Sequence, residues 1–183
     1  TETIVGNEHG EGDRWLGYMV STAMVVVALL APFLGGVADH AGVKKRMLGV
    51  FTLLGIGAVL SWSLLGPGDV VLGYALGALA MVAFEASIVF YNAYLPRIAP
   101  PDYQGRVSAW GFAVGYVGSL VALGVAALLL KSGLLGLVWV ALAAQWFAAA
   151  LPAFRRLPPD APAGLTIGEA ASRGVRGTWK ALV

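Results

Sequence analysis

Two stretches of this chain, Leu16 to Leu34 and Met47 to Leu65, contain no charged side chain. A helix rises about 1.5 Å per residue, so each can cross a hydrocarbon layer of about 30 Å. The segment between them, Gly35-Gly36-Val37-Ala38-Asp39-His40-Ala41-Gly42-Val43-Lys44-Lys45-Arg46, then reads as the turn of a membrane hairpin. It holds three basic residues and one acid, and short Lys/Arg-rich loops are retained on the cytoplasmic side. The rest of the 183 residues agrees: 58% are hydrophobic and 12% charged, against about 25% charged in soluble domains. The expected fold class is all-α, a polytopic transmembrane helical bundle.

A net charge of +2 and a pI near 9.0 do not indicate nucleic acid, because the basic residues lie in separated loops and form no stripe. The absence of cysteine excludes disulfides and thiolate chemistry, and two distant histidines, His9 and His40, suggest no metal centre. No cofactor is expected. The chain starts at Thr1 with nothing resembling a signal peptide, and it reads as an incomplete piece.

Residues 1–15 read as an outer loop, acidic and rich in turn formers, with Arg14, Trp15 and Tyr18 as an interfacial belt. Five spans follow, at about 16–38, 47–65, 70–95, 107–130 and 134–154. The 39–46 loop, the proline-bearing 96–106 loop and the tail are expected on the cytoplasmic side, because ten of twelve basic residues fall there and only Arg14 and Lys131 fall outside. Residues 155–183 begin as a Pro-rich linker. Thr166 and Glu169 have capping-box spacing, and Ile167, Ala171, Val175 and Trp179 recur beside Arg173, Arg176 and Lys180. That pattern fits an amphipathic helix on the inner membrane face, or equally a tail without its partner helices.

Gly35, Asp39 and Gly42 followed by basic residues form a pattern that resembles the signature loop between the second and third helices of major facilitator superfamily transporters. Phe90-Tyr91-Asn92-Ala93-Tyr94-Leu95-Pro96, then Arg106-Val107-Ser108, then Gly111 through Gly115-Tyr116 to Gly118, are similar to the branch related to the vacuolar amino-acid effluxer of autophagy. The resemblance implies the second to sixth helices of a twelve-helix protein, part of the N-terminal half of a major facilitator fold. The first helix and the C-terminal half would then be missing partners. Such halves are built from inverted repeats around a midplane site, so this chain supplies part of one wall.

The resemblance implies a gating role for Gly35, Asp39, Gly42, Lys44, Lys45 and Arg46, with Asp39 in a charge-paired inner gate. The plainer reading of that loop is a solvated topology determinant. Val43 and His40 depart from the basic residues usual there.

Glu85 is the one ionisable residue well inside a span, and a carboxylate in hydrocarbon must face protein or water. With Tyr91 and Asn92 it is the expected substrate or proton pathway; the alternative is a neutral, hydrogen-bonded acid used for packing. Gly111, Gly115 and Gly118 form a small-residue face suited to helix packing, and Gln145 reads as an interhelical hydrogen-bond donor.

The function expected is a multi-pass inner-membrane transporter moving a small solute, amino acids by resemblance, through alternating access. The alternative is a non-transporting membrane scaffold or assembly subunit. An enzyme is not expected, because Glu85 has no His, Asp or Cys companion in the membrane.

Overall fold

The computed structural model describes residues 10–161 and 165–182. Among these the chain is helical and without strands: α1 (Glu11–His40), α2 (Lys44–Ser61) with a short 3-10 turn (Trp62–Leu64), α3 (Val70–Asn92), α4 (Leu95–Ile98), α5 (Pro101–Lys131), α6 (Leu135–Arg156) and α7 (Ile167–Leu182). Five segments are long and apolar enough to cross a membrane, those of α1, α2, α3, α5 and α6. The protein is a multi-pass membrane protein.

Several helices run further than their charge-free cores. The outer loop expected over residues 1–15 is already helical from Glu11, since Glu11 and Asp13 in the first turn complement the positive end of the helix dipole. Residues 1–9 of that expected loop lie outside the described residues. The expected 39–46 loop shrinks to Ala41–Val43, because no residue before Gly42 breaks α1. Gly42 turns the chain with φ +65°, a left-handed conformation that suits glycine. The expected 96–106 loop is likewise mostly helical: Pro101 opens α5, where a proline lacks no needed N–H.

The bundle is organised around α3, which packs against both α1 and α2; α2 also packs on α6, and α5 leans on α6. Bare backbone permits the closest approaches. Trp146 of α6 lies on Gly55 of α2, and Met19 and Trp62 cover Gly77 of α3. Phe51 and Phe90 stack at 5.8 Å within an apolar cluster of Val37, Ala38, Ala41, Leu48 and Ala170. That cluster lies at the end of the bundle bearing the Ala41–Val43 turn. α5 has no buried residue among those described and presents Trp110, Phe112, Leu120 and Leu123 outward, an apolar surface suited to lipid or to further helices.

The tail helix does not lie free of the bundle. Thr166 and Glu169 form the capping box expected: the Thr166 N–H and hydroxyl each donate to Glu169 Oε2 at 2.8 Å, and the Glu169 N–H returns to Thr166 Oγ1 at 3.4 Å. The helix then docks on α1, where Ala170 is fully enclosed and Gly36 meets Gly174.

Candidate functional site

The turn end of the bundle carries the densest polar construction. Asp39, His40, Gly42, Lys44, Arg97, Asp160 and Ala161 line a cleft of about 360 Å³. Helix α2 begins there with Lys44, Lys45 and Arg46 and has no acid in its first turn, although the positive end of a helix dipole disfavours cations. Asp160 compensates from the linker after α6. Its carboxylate accepts the Lys45 N–H at 2.7 Å and the Arg46 N–H at 3.1 Å, satisfying two of the unpaired donors at the start of α2.

The cations of this turn reach outward to other elements. Lys44 Nζ donates to the Ala93 carbonyl at 2.9 Å, at the end of α3 where a positive charge is favourable. Lys45 Nζ donates to the Leu157 carbonyl at 2.9 Å, and the buried Tyr94 hydroxyl donates to the Pro158 carbonyl at 3.2 Å. Residues 157–160 are thereby bound to α2 and to the segment after α3. His40 donates Nδ1–H to the Gly36 carbonyl at 3.1 Å. Arg46 leaves its side chain exposed.

Of the expected gating residues, Asp39, Gly42 and Lys44 share the cleft, and Lys45 and Arg46 are held beside it through Asp160. The Asp39 carboxylate is exposed and makes no hydrogen bond or ion pair among the described residues. Gly35 stands apart: a Cβ there would meet nothing within 4 Å, whereas its neighbour Gly36 makes the backbone contact with α7. Asp160, Arg97 and Tyr94 also belong to the site. Tyr94 lies inside the stretch that carries the resemblance, which implies no site role for it, and no local pattern marks Asp160. Asp160 acts 115 residues from its partner, and only its place in a Pro-rich linker hints that the segment is held.

Deeper in the bundle, Glu85 is half-buried on α3, and Asn92, two turns further on the same face, is exposed. Neither makes a hydrogen bond or ion pair among the described residues. Ala83, Ala86, Ser87 and Phe90 form the buried face of α3, so Glu85 and Asn92 point away from the core. Tyr91 is exposed on a flank between the two faces. Ser87 closes on its own helix, donating to the Phe84 carbonyl at 2.7 Å.

The glycine face of α5 is divided. Gly118 accepts a hydrogen bond from Gln145 Nε2 at 2.8 Å where α5 crosses α6, so Gln145 is the interhelical donor. No described side chain or neighbouring backbone lies within 4 Å of a Cβ built at Gly111 or Gly115.

The family described as "Vacuole effluxer Atg22 like" matches residues 15–105. The chain is 29% identical over 116 residues to the uncharacterized MFS-type transporter YxiO of Bacillus subtilis, covering 63% of this chain and 27% of that protein. It is 33% identical over 81 residues to autophagy-related protein 22 of Gibberella zeae, covering 44% of this chain and 12% of that protein. An uncharacterized protein of Aquifex aeolicus is 34% identical over 94 residues, 51% of this chain and 24% of that protein. The chain thus spans 27% or less of the length of these relatives. No solved structure matches it.

Proposed function

Because this chain is a major-facilitator-like transporter sequence related to the Atg22 vacuole effluxers and matches part of their length, we propose that it forms one wall of a transporter that moves a small solute by alternating access. It is not an enzyme. The observation that carries the reading is Glu85: a carboxylate within a membrane-spanning helix, half-buried, without a partner among the described residues, on the face of α3 turned away from the bundle core. An intramembrane acid so placed needs water, a cation or a proton. Asn92 extends that polar face toward the turn end, with Tyr91 on the flank beside it.

Asp39 is the gate residue in this reading. Exposed in the cleft with Lys44 and Arg97 nearby, it is available to a part of the protein that closes on this end, and Gly42 allows the sharp turn that holds it there. Amino acids are the proposed solute class, on the resemblance of the Tyr91-Asn92-Ala93 and Gly111 to Gly118 stretches. The inner membrane is the proposed location, with the turn end cytoplasmic, on the strength of the basic residues gathered there.

The test is uptake of a radiolabelled amino-acid mixture into vesicles carrying the full-length parent protein, wild type against Glu85→Gln, with and without a pH gradient. Uptake that in the variant loses only its dependence on the gradient assigns proton coupling to Glu85. Well-folded wild-type protein that moves nothing across a broad solute panel favours the membrane-scaffold reading instead.

A further inference from the structure

Helix α7 crosses α1 at the edge of the apolar span. A Cβ at Gly174 would lie 2.6 Å from the Gly36 Cα and would also collide with the Pro32 carbonyl oxygen, and one at Gly36 would lie 2.7 Å from the Gly174 Cα. Asp39, the first charge after the apolar run of α1, is three residues beyond Gly36, a rise of about 4.5 Å. The crossing therefore sits within one helical turn of the hydrocarbon border.

Around α7, at 3.6 residues per turn, the docked edge of Ala170 and Gly174 separates two different flanks. One is apolar: Ile167 and Trp179 are 49% and 69% exposed, with Ala171 and Val175 half-buried between them. The other carries Arg173, Arg176 and Lys180, all exposed and without a hydrogen bond or ion pair among the described residues, the Arg173 charge lying near enough to act on the Glu169 carboxylate. The acid on that flank, Glu169, is engaged by Thr166 in the capping box. Docked on a membrane span within one turn of the hydrocarbon border, α7 has an apolar flank and a cationic flank on opposite sides of its contact. That division of side chains suits a helix at the boundary of acyl chains and headgroups.

We propose that α7 is a lipid-recognition element whose Arg173, Arg176 and Lys180 bind anionic phospholipid headgroups at the bilayer surface. The occupant follows from charge complementarity and from the anchoring of α7 to a membrane-spanning helix. Three such cations strengthen association with an anionic surface by roughly 100-fold together. The inference rests on membrane insertion and not on transport.

These 183 residues hold no cysteine, so Ser172→Cys on the exposed side of α7, in the full-length protein with every cysteine outside this stretch changed to serine, gives a unique site for a fluorescent dye. In vesicles of mixed phosphatidylcholine and phosphatidylglycerol, either lipid is supplied as a nitroxide-labelled quencher at equal mole fraction. The expected result is stronger quenching by phosphatidylglycerol than by phosphatidylcholine, a preference that falls as salt is raised and disappears in the Arg173→Gln/Arg176→Gln/Lys180→Gln variant. Hydrogen exchange of the 170–174 amides checks that the variant keeps its docked helix. A second variant, Arg173→Lys/Arg176→Lys, keeps the charge and is expected to keep the preference. Equal quenching by both lipids in the wild type, or a preference that survives in the folded glutamine variant, overturns the proposal.

Discussion

The Asp160 carboxylate accepts the Lys45 backbone N–H at 2.7 Å across 115 residues of sequence. It does for α2 what a local capping residue does for most helices, since Val43, at the start of α2, has no side-chain acceptor. Asp160→Ala is expected to cost about 1 kcal/mol at this end of the bundle and to speed hydrogen exchange of the Lys45 and Arg46 amides. Unchanged exchange at both amides would remove the cap from the account.

Gly35 and Gly36 are neighbours with opposite tolerance. A methyl at Gly36 meets the backbone of α7, which cannot yield as a flexible side chain can, while one at Gly35 meets nothing within 4 Å. Gly36→Ala is expected to weaken α7 docking by about 1–3 kcal/mol, the ordinary cost of overpacking. Gly35→Ala is expected to be neutral or stabilising by up to about 1 kcal/mol, since alanine is the better helix former. Limited proteolysis in the 157–167 linker reads both, and equal protection of the two variants contradicts the crossing.

What was legible in the sequence follows from the range of the forces involved. The long apolar helices could be read because a run without charge is a local property, and Glu85 stood out because an acid inside such a run is costly. Their ends were less legible. Lys44 to Arg46 look like loop residues until a distant carboxylate supplies the missing negative charge, and Pro101 looks like a breaker until it occupies the first position of α5. The resemblance directed attention to Gly35, but the closest backbone contact falls one residue later, because which of two adjacent glycines faces a neighbour depends on where that neighbour lies. Asp160 is invisible as a site residue for the same reason. Gly111 and Gly115 have the composition of a packing face, yet composition does not say which helix fills it.

The contact between α2 and α6 provides a similar pair. At Gly55 a Cβ would lie 2.9 Å from Trp146 Cζ3 and closer still to Cη2, whereas at Gly57 it would meet nothing. Trp146 is itself held edge-on by Phe84, with ring centroids 5.6 Å apart, so the indole has little room to retreat. Gly55→Ala is expected to lower the midpoint of thermal unfolding in detergent by an amount equivalent to about 1–3 kcal/mol, and Gly57→Ala to leave it level or raise it. A Gly55→Ala protein as stable as wild type would mean that α6 does not seat on α2 at this point.

The capping box of α7 gives the tail a pH dependence of definite sign. Hydrogen bonds from the Thr166 backbone and hydroxyl hold the Glu169 carboxyl below the usual glutamate range, with the nearby Arg173 charge adding to the effect. A group whose pKa is lower in the folded state stabilises it above the unfolded pKa, about 4.3 for glutamate, and that contribution fades as pH falls through the folded value. The start of α7 is therefore expected to stay formed from neutral pH down to about 4 and to fray below it, as read by amide exchange at residues 168–172 over a pH series corrected for intrinsic rates. Glu169→Gln should keep part of the cap while flattening the pH response, because an amide oxygen still accepts a hydrogen bond but does not titrate. A wild-type profile as flat as that of the glutamine variant would show that the cap contributes nothing through its charge.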